Sequence, residues 1–287
     1  MTNKWVAGAR PRTLPAAIVP VAVGTAAASA AGSIIWWRAA AALVASLAIQ
    51  VGTNYGNDYH DGIRGTDSVR VGPVRLVGQG LASPGSVRRA AIISFGVAAV
   101  AGLALAAATT WWLLLLGAAC FAAGWFYTGG PRPYGYAGFG EVFVFVFFGV
   151  VATAGSAYVQ LQRITGLAVL GSLPVGLLAT ALLVVNNLRD IPGDTRSGKL
   201  TLAVRLGATR TRVLYTFCAL APFALLIPLA ISRPWALLAL GAGVTAVGPV
   251  RLVRAGVEGR DLIAVLQETA RLQLVFGVLL TAGLALG

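Results

Sequence analysis

The sequence predicts a polytopic α-helical membrane protein. Of its 287 residues, 57% are hydrophobic and only 11% are charged, whereas a soluble domain carries about a quarter charged residues. The mean hydropathy is +0.81. Long stretches such as residues 167–185 are apolar at consecutive positions, which excludes the alternating strands of an outer-membrane barrel. We therefore expect a single integral-membrane domain over residues 1–287.

Apolar segments long enough to cross a bilayer recur along the whole chain. A spanning helix needs about 20 predominantly apolar residues, and windows of about 19 residues locate such segments. Nine are found, at residues 14–31, 36–55, 89–108, 110–127, 141–159, 167–185, 213–231, 234–250 and 270–286. The prediction is nine transmembrane helices.

The distribution of basic residues predicts the orientation in the membrane. With a cytoplasmic N-terminus, 19 of the 22 basic residues fall on the inner side, and only Arg38, Arg163 and Arg233 fall outside. This asymmetry satisfies the positive-inside rule. The net charge of +13 does not indicate a nucleic-acid partner, because the basic residues are dispersed among apolar spans.

All nine acidic residues lie on the predicted inner side, and five of them fall in two clusters. The first cluster spans residues 57–67 and the second spans residues 186–194. In each, an asparagine precedes an aspartate by four positions, as Asn57 precedes Asp61 and Asn186 precedes Asp190. Four residues make about one helical turn, so each pair shares a helix face. Beyond Asp190 we expect a turn, because Pro192 and Gly193 disfavour a helix.

Carboxylates and amides that converge at a membrane boundary suit a hard divalent cation. Mg²⁺ takes one or two carboxylates, keeps several waters and completes its shell with substrate phosphates. Basic side chains suited to phosphate surround the clusters, namely Arg64, Arg75, Arg132, Lys199 and Arg205. The pattern predicts a site for a magnesium-bound diphosphate. Asp58 is equally compatible with a structural role, and His60, the one histidine, is interpreted as a loop residue.

Short strings along nearly the whole chain resemble the UbiA superfamily of intramembrane prenyltransferases. The strings are Ala9-Arg10-Pro11-Arg12-Thr13-Leu14-Pro15, Asn57 to Asp67, Tyr127 to Tyr136, Gly140-Glu141-Val142, Asn186 to Asp190, and Gly198-Lys199 with Val204-Arg205-Leu206-Gly207. The wider superfamily often places a third acid four residues after the second, where this chain has Gly65. Its third acid is Asp67, in the ending Gly65-Thr66-Asp67 typical of the menaquinone branch. The spacing argues against the 4-hydroxybenzoate branch.

The resemblance implies nine helices around a central cavity in a bacterial plasma membrane, with the active site on the cytoplasmic side. It implies Mg²⁺-dependent transfer of a polyprenyl group from polyprenyl diphosphate to 1,4-dihydroxy-2-naphthoate, with decarboxylation. The implied metal ligands are Asn57, Asp61, Asp67, Asp190 and Asp194. Asp61, Asp190 and Asp194 are the implied catalytic residues, and the implied substrate contacts are Arg75, Arg132, Tyr134, Asn186 and Lys199.

Two alternatives stay open beside this interpretation. A UbiA-type enzyme with another aromatic acceptor fits the same motifs. A secondary transporter fits the many spans, but transporter acids are expected near the bilayer midplane, and these acids all map to one side. Prenyl chain length and the identity of the catalytic base do not follow from the sequence.

Overall fold

Helices form every regular element in residues 3–32, 34–65 and 74–286, which this computed structural model describes. The α-helices are α1 (Lys4–Ala9), α2 (Pro15–Ser29), α3 (Trp36–Ile63), α4 (Pro84–Ala108), α5 (Trp112–Phe126), α6 (Gly140–Val144), α7 (Ala152–Leu161), α8 (Gly166–Arg196), α9 (Leu202–Ala224), α10 (Leu226–Ser232), α11 (Gly243–Arg254) and α12 (Leu262–Leu286). A π-helix, Phe145–Val151, joins α6 to α7. Short 3₁₀ segments cover Pro11–Thr13, Tyr134–Ala137, Pro234–Ala242 and Gly259–Asp261.

Six helical segments among the described residues are long and apolar enough to cross a membrane. They are Pro84–Ala108, Gly140–Leu161, Gly166–Arg196, Leu202–Ser232, Pro234–Arg254 and Gly259–Leu286. The helices α2 and α5 are also apolar, but each has only 15 residues. The expected all-helical membrane protein is confirmed at this level. The count of nine spans and the cytoplasmic N-terminus remain predictions.

Hydroxyl side chains fix the start of three long helices. Ser83, Thr165 and Thr201 stand immediately before α4, α8 and α9, and each side-chain oxygen accepts a hydrogen bond from a backbone N–H three residues later. The first turn of a helix leaves such N–H groups without intrahelical partners. A hydroxyl cap therefore stabilises each start by about 1 kcal/mol.

The helices form two groups, and α8 belongs to the larger one. It packs with α2, α9 and α12 around the largest apolar core. In the other group, α3 packs against α4 and α5, and a smaller core holds these helices together. A cavity of about 820 Å³ lies between the two groups. One end of the cavity lies where α3 and α8 end, and it is called the polar end below.

The helix α8 continues past the residues where a turn was expected. It passes through Pro192 and ends at Arg196, so the expected turn is wrong. A proline removes one intrahelical hydrogen bond, but packing against neighbouring helices supplies most helix stability in proteins. As a result Asp190 and Asp194 lie one turn apart on the same face of α8.

Two glycines let the π-helix lie directly against α8. A Cβ atom on Gly149 would stand 2.4 Å from the Cα atom of Gly176, closer than any real contact. The close approach places the π-helix beside the cavity, which Phe147, Phe148 and Val151 border. Phe145 points instead at Gly176. Phe143, which lies in α6 before the π-helix, also borders the cavity.

Candidate active site

The cavity changes character along its length. Its polar end is bordered by acidic, amide and basic side chains: Asn57, Asp61, Arg75, Asn186, Asn187, Arg189, Asp194 and Lys199. Its opposite end is bordered by apolar side chains that pack together: Val21, Ala42, Leu105, Leu113 and Val159. A molecule with an anionic head and a long apolar tail matches this division.

Asp61 and Lys199 connect the two acidic clusters. The Lys199 Nζ atom lies 3.1 Å from Asp61 Oδ1, and both side chains are buried. The backbone N–H of Lys199 donates a hydrogen bond of 2.9 Å to the carbonyl oxygen of Asp194. Arg75 Nη2 stands 3.9 Å from Asp61 Oδ2, and the Tyr136 hydroxyl donates to Asp61 Oδ1. The two clusters therefore meet at the polar end of the cavity, as expected from the sequence.

In the second cluster, Asp190 holds an arginine at the cavity wall. Arg189 pairs with Asp190 through Nε to Oδ1 at 2.8 Å and through Nη2 to Oδ2 at 2.9 Å. The same Nη2 donates to Asn186 Oδ1 at 2.9 Å. Arg189, Asn186 and Asp194 border the cavity, whereas Asp190 stands outside its border. Arg189 is not among the residues predicted from the sequence, because its contact with the cavity depends on the rotation of α8.

In the first cluster, Asn57 borders the cavity and Asp58 does not. Asn57 Oδ1 accepts a hydrogen bond of 2.9 Å from the Thr128 hydroxyl. Asp58 is fully buried and accepts hydrogen bonds from the backbone N–H groups of Leu76, at 2.7 Å, and Val77, at 3.1 Å. Asp58 therefore has a structural role, anchoring the segment that carries Arg75.

His60 is buried within α3, so its interpretation as a loop residue is wrong. Its ring packs edge-on against Trp125 with 4.6 Å between ring centroids. It also lies against Gly129, where an added Cβ would stand 2.6 Å from the ring. Arg64 donates to the carbonyl oxygens of Thr128 and Gly130. Both side chains hold the loop after α5 in place, which fixes Thr128 beside Asn57.

The loop between α5 and α6 contributes one of its two predicted contacts to the cavity. Tyr134 borders the cavity, but its hydroxyl donates to the Ala123 carbonyl oxygen at 2.7 Å and its ring stacks on Phe143 at 3.9 Å. Burial raises the pKa of Tyr134, so its hydroxyl stays protonated. Arg132 is exposed and stands away from the cavity border. Arg205 donates to the Leu200 carbonyl oxygen instead, and Asp67 lies outside the described residues.

A polar stripe on α3 extends the site deeper into the bundle than the sequence analysis expected. Gln50, Asn54, Asn57 and Asp61 all border the cavity. Gln50 Nε2 donates to the Thr13 hydroxyl at 3.0 Å, and Asn54 Nδ2 donates to the Ala9 carbonyl oxygen at 2.9 Å. Their spacing of four, three and four residues follows one helix face, so this stripe was visible in the sequence.

The residues at the polar end of the cavity suit a cation that is bound by protein oxygens and by a phosphate at the same time. Asn57, Asp61, Asn186 and Asp194 present carboxylate and amide oxygens at the cavity border. In the described part of the chain, no group of three or more acidic, histidine or cysteine side chains is arranged as a closed metal cage. Mg²⁺ often binds through one or two carboxylates and takes its other ligands from phosphate and water. The donor set fits that mode.

Comparison with known proteins gives one consistent family. The model of the UbiA prenyltransferase family matches residues 17–283. The 1,4-dihydroxy-2-naphthoate octaprenyltransferase of Mycobacterium tuberculosis is 49% identical over 99% of this chain and 97% of its own. The Mycobacterium leprae enzyme of that name is 47% identical over 99% of this chain and 96% of its own. A UbiA homologue from Archaeoglobus fulgidus, bound to DMAPP and Mg²⁺, shares the fold with a TM-score of 0.67 and 14% identity, covering 98% of this chain and 99% of that one. The chain belongs to the UbiA prenyltransferase family.

Proposed function

We propose that this protein transfers a polyprenyl group from polyprenyl diphosphate to 1,4-dihydroxy-2-naphthoate, releasing CO₂ and diphosphate and giving the quinol form of demethylmenaquinone. Relatives that match nearly the whole chain carry the name of this activity. The single structural observation behind the proposal is the pairing of Asp61 with Lys199 at the polar end of an apolar cavity. We place this end at the cytoplasmic face of a bacterial plasma membrane, because most basic residues are predicted there.

The charged side chains at the polar end of the cavity would exchange partners when polyprenyl diphosphate binds. Asp61 is now paired with Lys199 and Arg75. A magnesium diphosphate brings a cation and an anion together, so Asp61 would turn to the metal with Asn57 and Asp194, while the basic side chains would turn to the phosphate oxygens. When bound, Mg²⁺ would act as a Lewis acid on the departing diphosphate. Asp190 would act on the same step by holding Arg189 in position.

The cavity also supports the chemistry that follows departure. The C–O bond to the diphosphate breaks, its electrons leave with the phosphate oxygen, and an allylic cation remains on the prenyl carbon. Aromatic and aliphatic walls, including Phe143 and Phe147, would exclude the water that would otherwise capture this cation. The naphthoate ring carbon then supplies the electrons for the new C–C bond, and that carbon loses its carboxylate as CO₂.

The polar stripe of α3 and the start of the chain would hold the acceptor. Gln50 lies seven residues before Asn57 on α3. This spacing places it about 10 Å further from the polar end of the cavity along the helix. Arg10 and Arg12 border the cavity beside it. A dihydroxynaphthoate has one carboxylate and two hydroxyls, so guanidinium groups would bind its carboxylate and the amide of Gln50 would bind a hydroxyl.

We expect Gly117→Leu to shorten the longest prenyl chain that the enzyme accepts. Gly117 borders the cavity toward its apolar end, and a Cβ there would meet nothing within 4 Å. A leucine would fill space that a long tail needs. The measurement is turnover with prenyl diphosphates of increasing length. The matched control is Gly96→Leu on α4, which also has open space but lies away from the cavity. Equal loss of long-chain turnover in both variants would contradict this assignment of the tail site.

Mass spectrometry of the lipid product tests the proposed function. The purified protein is supplied with Mg²⁺, one defined polyprenyl diphosphate, and either 1,4-dihydroxy-2-naphthoate or 4-hydroxybenzoate. The expected product has the mass of prenylated naphthoate without its carboxylate, and a metal chelator abolishes its formation. Product from 4-hydroxybenzoate alone would replace the proposal with a UbiA-type enzyme of another acceptor class.

A further inference from the structure

A second cavity lies on the outside of the bundle, between α9 and α11. It has a volume of about 700 Å³ and is separate from the candidate active site. Its walls are mostly apolar, with Leu220 and Phe223 on one side and Ala246, Val247 and Val250 on the other. Val247 is exposed within a segment apolar enough to span the membrane. The groove therefore faces the lipid phase.

Positive charge stands at one end of this groove. Arg251 and Arg254 border it, and both are exposed in the last turn of α11. Arg212 lies in α9, five residues after the kink at Gly207, and it donates to the Gly256 carbonyl oxygen and pairs with Glu258. The distribution of basic residues places Arg212, Arg251 and Arg254 together on the predicted inner side. Within the described ranges, Arg251 and Arg254 form no ion pair, in contrast to Arg212.

A third arginine, Arg210, lies on an exposed face of α9. Arg210, Val213, Phe217 and Leu220 follow one another at intervals of three, four and three residues, so they share a helix face. All four are exposed. The exposed surface of α9 thus carries its own positive charge.

From these observations we infer that the groove is a binding site for an anionic phospholipid. One acyl chain lies between α9 and α11, and the phosphate lies on Arg251 and Arg254. An apolar groove of this volume can hold an acyl chain, and basic residues between helices at the cytoplasmic boundary attract anionic head groups. Guanidinium groups bind phosphate oxygens in a bidentate manner. A zwitterionic lipid offers the same chains but no net charge for the arginines to balance.

Lipid titration of the purified full chain by native mass spectrometry tests the inference. The probes are phosphatidylglycerol and phosphatidylcholine with identical acyl chains. We expect Arg251→Gln and Arg254→Gln each to weaken phosphatidylglycerol binding roughly fivefold, with little change for phosphatidylcholine. The matched controls are Arg88→Gln and Arg89→Gln, each of which removes one charge from the exposed start of α4. Equal weakening by these controls would overturn the site.

A second variant tests whether the acyl chain occupies the groove. A Cβ on Gly243 would stand 3.9 Å from the ring of Phe223, an ordinary contact, so Gly243→Leu fills the groove without a clash. We expect this variant to weaken binding of phosphatidylglycerol although every arginine remains. Unchanged lipid binding, or a second copy of the chain bound in place of lipid, would overturn the inference.

Discussion

Replacing Asp61 with alanine is expected to lower kcat/KM for prenyl transfer at least about a hundredfold, equivalent to about 3 kcal/mol of transition-state stabilisation. Asp61 is 2% exposed, borders the cavity and contacts both Lys199 and Arg75. Its loss removes a proposed metal ligand and leaves two buried cations without their shared carboxylate. The measurement is steady-state kinetics of the purified variant at saturating Mg²⁺, after insertion in the membrane has been verified.

Asp58→Asn is the matched comparison for this prediction. Asp58 stands three residues before Asp61 on the same helix and is equally buried, but it accepts hydrogen bonds from two backbone N–H groups. An asparagine keeps one oxygen acceptor and loses the charge, so we expect a loss of about 1.5–3 kcal/mol in the free energy of unfolding. The rate should change much less than in Asp61→Ala. If both folded variants lost activity equally, the separation of structural and functional acids would be wrong.

Lys199→Met is expected to reduce kcat/KM by roughly ten- to a hundredfold, the effect of losing one hydrogen bond to a charged group. Lys199 is 5% exposed and lies between the two clusters. Because the developing charge on the diphosphate is the proposed target of this ammonium group, the loss should fall mainly on kcat. Lys199→Arg keeps the charge and should recover part of the rate. Kinetics with a defined prenyl donor measure the division between kcat and KM.

Arg132→Met provides the control for Lys199. Both residues were selected from the sequence as phosphate contacts, but Arg132 is exposed and stands away from the cavity. We expect nearly full activity from Arg132→Met. A larger loss in Arg132→Met than in Lys199→Met would mean that the diphosphate binds at the loop and not between the clusters.

The sequence predicted the fold class and the meeting of the two clusters for one physical reason. Charged side chains at a membrane boundary are costly, so their positions in an apolar chain are informative. The repeated spacing of Asn57 with Asp61 and of Asn186 with Asp190 indicated shared helix faces, and both helices are present. The stripe formed with Gln50 and Asn54 obeys the same periodicity.

Local rules failed where packing between helices decides the outcome. Pro192 and Gly193 favour a turn by themselves, but α8 stays helical through both and buries Asp194 beyond them. The contact of Tyr136 with Asp61 joins residues 75 positions apart, so sequence spacing carries no sign of it. The roles of Asp58 and Arg189 depend likewise on which segment each side chain meets in the folded bundle.

A structure of the protein with Mg²⁺ and a prenyl thiodiphosphate that resists cleavage would show directly whether the two acidic clusters bind one diphosphate. We expect one bound diphosphate at the polar end of the cavity, with carboxylate oxygens of Asp61 and Asp194 toward the metal and Lys199 against a phosphate oxygen. A diphosphate bound beyond the reach of either acidic cluster would contradict this expectation.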